Sequence, residues 1–172
     1  AAPDGHAHAG ITLPVLDAAV PLSDSTCIRF AAWVCDMDNG TADGLDNFGL
    51  DTLCKGLRTP NACRELAAMA LRYRKPLHAA AGLSAQGLLE LLESLDAFRR
   101  RERVDDFLLV CTAEARSRNA GLQDYPPAQR LQQALQVAST VKVTAAPGIS
   151  GKEIGTLLHQ QRIAAIQQAQ AQ

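Results

Sequence analysis

Apolar residues recur at three- and four-residue spacing through most of this chain, and period-two runs rich in β-branched residues are nearly absent. That pattern turns one face of each helix toward a core and leaves little from which to build a sheet. Helices are expected near residues 10–20, 25–37, 46–57, 60–74, 84–97, 101–118, 127–139 and 150–169, and Val141-Lys142-Val143-Thr144 is the one strand-like stretch. Ala, Leu and Gln dominate a composition that is 47% hydrophobic and 4% aromatic, and these residues lose little rotamer freedom in a helix. A chain of 172 residues can bury roughly two-thirds of its unfolded surface around one core. The expected fold class is all-α, about eight helices in one compact domain.

Several helix ends carry their own chemistry. Thr59-Pro60 offers an N-cap hydroxyl followed by a proline whose missing N–H costs nothing in a first turn. Ser150-Gly151-Lys152-Glu153 has the spacing of a capping box ahead of an apolar stripe of Ile154, Leu157, Leu158, Ile163 and Ile166. Pro126-Pro127 closes the loop over 119–125, Pro147-Gly148 breaks the chain before the last helix, and Pro76 separates His78 from the helix over 60–74. Residues 1–9 read as a flexible N-terminus and residues 167–172 as a frayed tail.

The net charge of −1 conceals an uneven spread. Residues 1–54 carry eight Asp against one Arg, residues 55–118 twelve Lys and Arg against eight acids, and residues 119–172 four against two. The mildly basic remainder permits a polyanion-binding face without the excess of a dedicated nucleic-acid binder. Arg99-Arg100-Arg101-Glu102-Arg103 is the densest basic run, with Arg116 and Arg118 further on; on RNA, each phosphate neutralised would add to the salt slope of binding. The same run also reads as a solvated helix junction balanced by Glu102, Asp105 and Asp106. Arg72, Arg74 and Lys75 close the helix over 60–74, where cations complement the macrodipole. Gly148-Ile149-Ser150-Gly151-Lys152 lacks P-loop spacing and reads as a capped helix start.

Cys27, Cys35, Cys54, Cys63 and Cys111 form an odd set with no C-x-x-C pair, most of them among apolar neighbours, so they read as buried, reduced thiols of a cytoplasmic protein. No apolar run approaches the roughly 18 residues that would span a bilayer, and Ala1-Ala2-Pro3-Asp4 does not begin a signal peptide; no membrane partner is expected. His6 and His8 lie in the N-terminus, His78 after the proline and His159 on the last helix, and no two have the i, i+4 spacing that holds a metal. Asp36 and Asp38 flank Met37 at the end of an apolar helix, where a carboxylate opposes the dipole. That oddity points to a functional past.

Arg29-Phe30-Ala31-Ala32, Leu57-Arg58-Thr59-Pro60-Asn61, Leu92-Glu93-Ser94-Leu95-Asp96-Ala97-Phe98-Arg99, Arg103, Glu114-Ala115-Arg116-Ser117-Arg118, Asp124-Tyr125-Pro126 and Arg162-Ile163-Ala164-Ala165 follow one another along the chain. Their order and spacing resemble the C-terminal, HD-type helical region of bacterial CCA-adding tRNA nucleotidyltransferases. The resemblance runs from Gly10 to Ile166. It implies an HD-like helical domain over residues 10–118 and a C-terminal helical extension over residues 119–169 packed on it. In that family a His on the first helix, a His-Asp pair ending the second, a His-rich loop and an Asp-Ala-x-Arg segment build a metal site. By the resemblance the vestigial positions here are Ile11, Cys35, Asp36, Arg74, His78 and Asp96, with a shortened, His-free segment over 41–48 in place of the loop.

Exchanging imidazoles for Ile11 and Arg74 removes donors and puts an apolar group and a fixed cation where a divalent ion would sit, which is expected to abolish metal binding. Cys35 with Asp36 and Asp96 is the one set that could still hold zinc. The resemblance therefore implies no metal or other cofactor and a degenerate site without phosphohydrolase activity. Nothing in the sequence resembles the Gly-Gly-x-Val-Arg-Asp head that carries nucleotidyl transfer in the family, so the chain alone is expected to be non-catalytic. Its implied partners are the nucleotidyltransferase head and tRNA, the latter through Arg72, Lys75, Arg99, Arg100, Arg101, Arg103, Arg116, Arg118 and Arg162. Two other readings stand beside this one. The first is a metal-dependent HD phosphohydrolase acting on cyclic phosphates or phosphomonoesters near Asp36 and Asp96; the second is a non-catalytic helical interaction module whose cleft is filled by Ile11, Cys35 and Leu45.

Overall fold

A computed structural model describes residues 12–38, 47–143 and 150–171. Among the described residues there are eight α-helices and no strand: α1 (Pro14–Ala19), α2 (Thr26–Met37), α3 (Asn47–Leu57), α4 (Asn61–His78), α5 (Ala85–Ser94), α6 (Arg101–Arg118), α7 (Pro126–Thr140) and α8 (Gly151–Gln170), with a 3₁₀ turn at Ala80–Gly82. The all-α expectation holds. The strand-like stretch takes no regular structure over 141–143, and its last residue, like the N-terminus over 1–9, lies outside the described residues. No described helix is long and apolar enough to cross a membrane.

The first helices form one packed unit around α6. α1 lies on α2 and α6, α2 crosses α4 and α6, and α4 also meets α6, while α5, α7 and α8 pack on one another. α6 buries adjacent pairs, Phe107 with Leu108, Val110 with Cys111 and Ala113 with Glu114, so it is enclosed on more than one face, as a central helix must be. One continuous cluster of buried side chains runs from Val15 to Ile166. Phe107, Leu92 and Leu131 are fully buried within it, each contributing about 1.5–3 kcal/mol of transfer free energy.

Local chemistry sets the ends. Ser150 and Glu153 form the expected reciprocal capping box at α8. Thr59 does not cap α4: the helix starts at Asn61 after Pro60, with no side-chain cap. α4 also does not stop before Pro76 but runs on to His78. The proline removes one i→i−4 hydrogen bond, a cost that packing of the turn after it has to outweigh. The fully buried Leu77 and the Ala79 N–H donating to Lys75 O at 3.2 Å hold the last turn. As a result Arg74 and His78 stand four residues apart on one helix face.

α3 and α5 end alike. Thr59 N–H donates to Cys54 O at 2.9 Å and Ala97 N–H to Leu92 O at 3.0 Å, the six-to-one bond of a Schellman motif. The left-handed position in each is held by Arg58 or Asp96, both at φ 52°. A residue with a Cβ is about 1 kcal/mol worse there than glycine.

The expectation of five reduced thiols holds for Cys35, Cys54 and Cys111, which are free and buried. It fails at Cys27 and Cys63, which form a disulfide between α2 and α4. Their separation of 36 residues matches no local motif; the pairing follows from the packing of the two helices. Closing a loop of this length restricts the unfolded chain by about 3–4 kcal/mol in the chain-entropy account. Urea unfolding with and without reductant should therefore show a lower midpoint for the reduced wild type, and a Cys27→Ser/Cys63→Ser variant should be insensitive to reductant. An equal response in both proteins would deny the staple.

Candidate functional site

α2, α4 and α6 converge on one buried charge. Arg74, 3% exposed, sits on α4 and points to the end of α2. Its Nη2 donates to the Asp38 carboxylate and to the Asp38 carbonyl at 3.1 Å, and its Nη1 donates to the Cys35 carbonyl at 3.4 Å and to Glu114 Oε1 at 3.2 Å. Only Nε lacks a protein partner. Burial works against charge on Arg74, but Cys35, Glu114 and Asp38 more than offset it, so the group is held in its protonated form more firmly than usual.

Glu114 joins the helices from the other side. Besides Arg74, its Oε1 accepts from Arg118 Nη2 at 2.6 Å, and its Oε2 lies 2.8 Å from His78 Nε2. A carboxylate only accepts, so Nε2–H is the donor, and in the neutral ring Nδ1 accepts from the Tyr125 hydroxyl at 2.6 Å. Burial would raise the Glu114 carboxyl, yet the hydrogen bond from His78 and the charges of Arg74, His78 and Arg118 hold it below its ordinary value. The Tyr125 phenol is pushed well up, chiefly by burial and then by Cys111 and Glu114, and stays a donor.

The expected positions are only partly brought together. Cys35, Asp36, Asp38, Arg74, Glu114 and Arg118 line one cavity of about 340 Å³, and His78 reaches it through Glu114. Asp36 accepts from the Val15 and Leu16 N–H groups at 2.9 Å each, so the carboxylate that opposes the dipole of its own helix caps the start of α1 instead. Asp96 lies elsewhere, at the end of α5, lining a different cavity with Arg64 and Arg103; the carboxylate that closes the site is Glu114. Ile11 lies outside the described residues, as do Leu45 and the segment over 41–46; of Asn47 and Phe48 only the backbone is described.

These donors do not suit a divalent ion. Burial pushes the Cys35 thiol up to about 12, against the pull of Arg74, so it is no thiolate at neutral pH. Asp36 is engaged by α1, Asp38 and Glu114 by Arg74, and Asp96 is absent from the cavity. Among the described residues no group of three or more His, Cys, Asp and Glu is placed to hold a metal. A fixed guanidinium holds the two carboxylates that a cation would need.

The basic residues expected to meet RNA do not gather in one patch. Arg100 and Arg103 pair with Glu65, Arg116 donates to the Gln123 carbonyl, and Arg162 stacks over Phe98 with its guanidinium carbon 3.8 Å from the ring centroid. Arg72 lies over the ring of Tyr73, Lys75 lines the cavity above Glu114, and Arg99 and Arg101 are exposed. The length of α6 alone puts Arg101 and Arg118 about 25 Å apart. Sequence reasoning missed Glu114 as a site residue although Glu114-Ala115-Arg116 carried part of the resemblance; the preference for an Asp-Ala-x-Arg spelling selected Asp96. It missed Tyr125 because only the fold joins that ring to His78.

The chain is 39% identical over 173 aligned positions to the multifunctional CCA protein of Nitrosococcus oceani, a match covering 92% of this chain and 42% of the relative. It is related to the multifunctional CCA proteins. The protein of that name from Thioalkalivibrio sulfidiphilus is 40% identical over 176 positions, covering 94% of the chain and 43% of the relative. The one from Vibrio vulnificus is 36% identical over 173 positions, covering 92% and 42%. The chain thus spans less than half the length of these multifunctional CCA proteins, as a C-terminal region of such a protein would. No family model and no solved structure matches it.

Glu114→Gln should cost about 3–5 kcal/mol, because it leaves a buried guanidinium short of a counter-charge. The Glu114 carboxyl titrates below its unfolded value of 4.5, so its contribution is present above that pH and is lost as the pH falls through the folded value. In urea unfolding between pH 3 and 7, the gap between wild type and variant should therefore be widest near neutrality and shrink below about pH 4.5.

Proposed function

We propose that this chain is the helical, tRNA-supporting C-terminal region of a CCA-adding nucleotidyltransferase, that the nucleotidyltransferase head is its partner, and that its own HD-like site is vestigial. On this reading residues 10–118 are a degenerate HD-like domain, residues 119–169 an extension braced on it, and the place of action is the cytoplasm, where tRNA is matured. The observation that carries the reading is the Arg74 guanidinium lodged between Asp38 and Glu114, at a position where the family resemblance expects a metal-binding imidazole. A cation that cannot leave or activate water replaces one that does both. Nucleotidyl transfer, on this account, is carried by the head and not by any residue described here.

Support for the tRNA-facing part is compositional and topological. The chain past residue 54 is net basic, and its relatives carry the name multifunctional CCA protein. In a reducing cytoplasm Cys27 and Cys63 would stand as a pair of thiols on packed helices rather than as the staple.

The direct test combines three measurements on the purified chain: metal content after incubation with manganese, nickel and zinc, hydrolysis of 2′,3′-cyclic AMP, and tRNA binding against salt. The expected result is less than one tenth of an equivalent of metal, no hydrolysis, and tRNA affinity that falls as salt rises. One equivalent of metal together with hydrolysis that disappears in Asp36→Ala would overturn the vestigial site. Absence of tRNA binding would overturn the supporting role.

A further inference from the structure

The strongest unassigned cluster of cations lies away from the Arg74 site, where α3 turns into α4. Lys55, Arg58 and Arg64 line a cavity of about 520 Å³ whose other polar walls are Thr59, Asn61 and Asp51. Three cations there face one carboxylate, and Asp51 is already paired with Arg64 at 2.9 Å. Among the described residues, neither Lys55 nor Arg58 forms an ion pair, and both are exposed. Arg64 also lines the adjoining cavity of about 260 Å³, where Arg72 and Arg103 stand with Glu65 and Asp96 and Arg103 pairs with Glu65 at 3.1 Å. Arg64, Ala68 and Arg72 recur at four-residue spacing on α4, so the two arginines lie on one face about 12 Å apart along its axis.

We propose that Lys55, Arg58, Arg64 and Arg72 form a track that binds successive phosphates of an RNA backbone. This rests on the reading of the chain as tRNA-supporting and names the surface that does the supporting. The chemistry favours phosphodiesters because the arginine fork matches paired phosphate oxygens and carries its charge at every physiological pH. An open, extended line of cations suits a charged strand better than a compact ligand. Arg58, like Asp96, occupies a left-handed backbone position at φ 52°, where glycine would be more comfortable. The guanidinium therefore stands there at a conformational cost.

That cost separates function from folding. In Arg58→Gly the strain and the cation leave together, so stability should rise, by about 2–4 °C in Tm, while tRNA affinity falls. The measurement is fluorescence anisotropy of labelled tRNA with the full chain, repeated across salt concentrations, for wild type, Arg58→Gly, Lys55→Ala/Arg58→Gly/Arg72→Ala, and the control Lys152→Ala. The triple variant should lose at least tenfold in affinity at low salt, and its salt slope should drop by about 0.7–0.9 for each phosphate contact removed. Lys152→Ala should match wild type. If wild type binds tRNA and the triple variant keeps the same affinity and slope, the track is wrong while the supporting role stands. If wild type does not bind, both fail.

Discussion

A guanidinium with only a few per cent of its surface exposed has to be neutralised where it lies, since an uncompensated charge in a protein interior is among the costliest of single defects. Arg74 meets this demand with two carboxylates and two main-chain carbonyls, drawn from the end of α2 and the C-terminal part of α6. Much of the rest follows. Asp38 is fixed against α4, Glu114 is fixed between Arg74, Arg118 and His78, and His78 brings in Tyr125 from the start of α7. The ion cluster therefore ties four helices together at one point and extends the buried core by a polar knot.

The same arrangement shows how acidic side chains at a buried cleft are neutralised from within the chain. Carboxylates lining a buried cleft need counter-charge, and a long cationic side chain from α4 supplies it with donors of suitable shape. Asp36 takes the backbone N–H groups at the start of α1, so the acid that fits poorly at the end of its own helix suits the beginning of another. Asp36, Asp38, Glu114 and His78 are each engaged by a neighbour within the chain.

The helices could be read from the sequence because their apolar period is regular, and the α8 cap because Ser150 and Glu153 are local to one turn. Three features could not. Pro76 argued for a helix end, but the buried Leu77 outweighs one missing bond, and this placed His78 on the same face as Arg74. Cys27 and Cys63 carry no spacing signature, since only the packing of α2 on α4 brings them together. Glu114 carried part of the resemblance but was not read as a site residue, because its role depends on residues 40 and 36 positions earlier in the chain. Local signals thus fixed elements, whereas the site's membership rests on contacts between distant segments.

The central claim is that Arg74 and Glu114 are held by one another, and a double-mutant cycle measures this directly. Urea unfolding at pH 7 of wild type, Arg74→Met, Glu114→Gln and the double variant gives the coupling between them. The account predicts large losses for each single variant, with the double losing less than their sum by about 2 kcal/mol or more. Additivity within about 0.5 kcal/mol would mean that the two side chains act independently, and that the buried charge does not organise this fold.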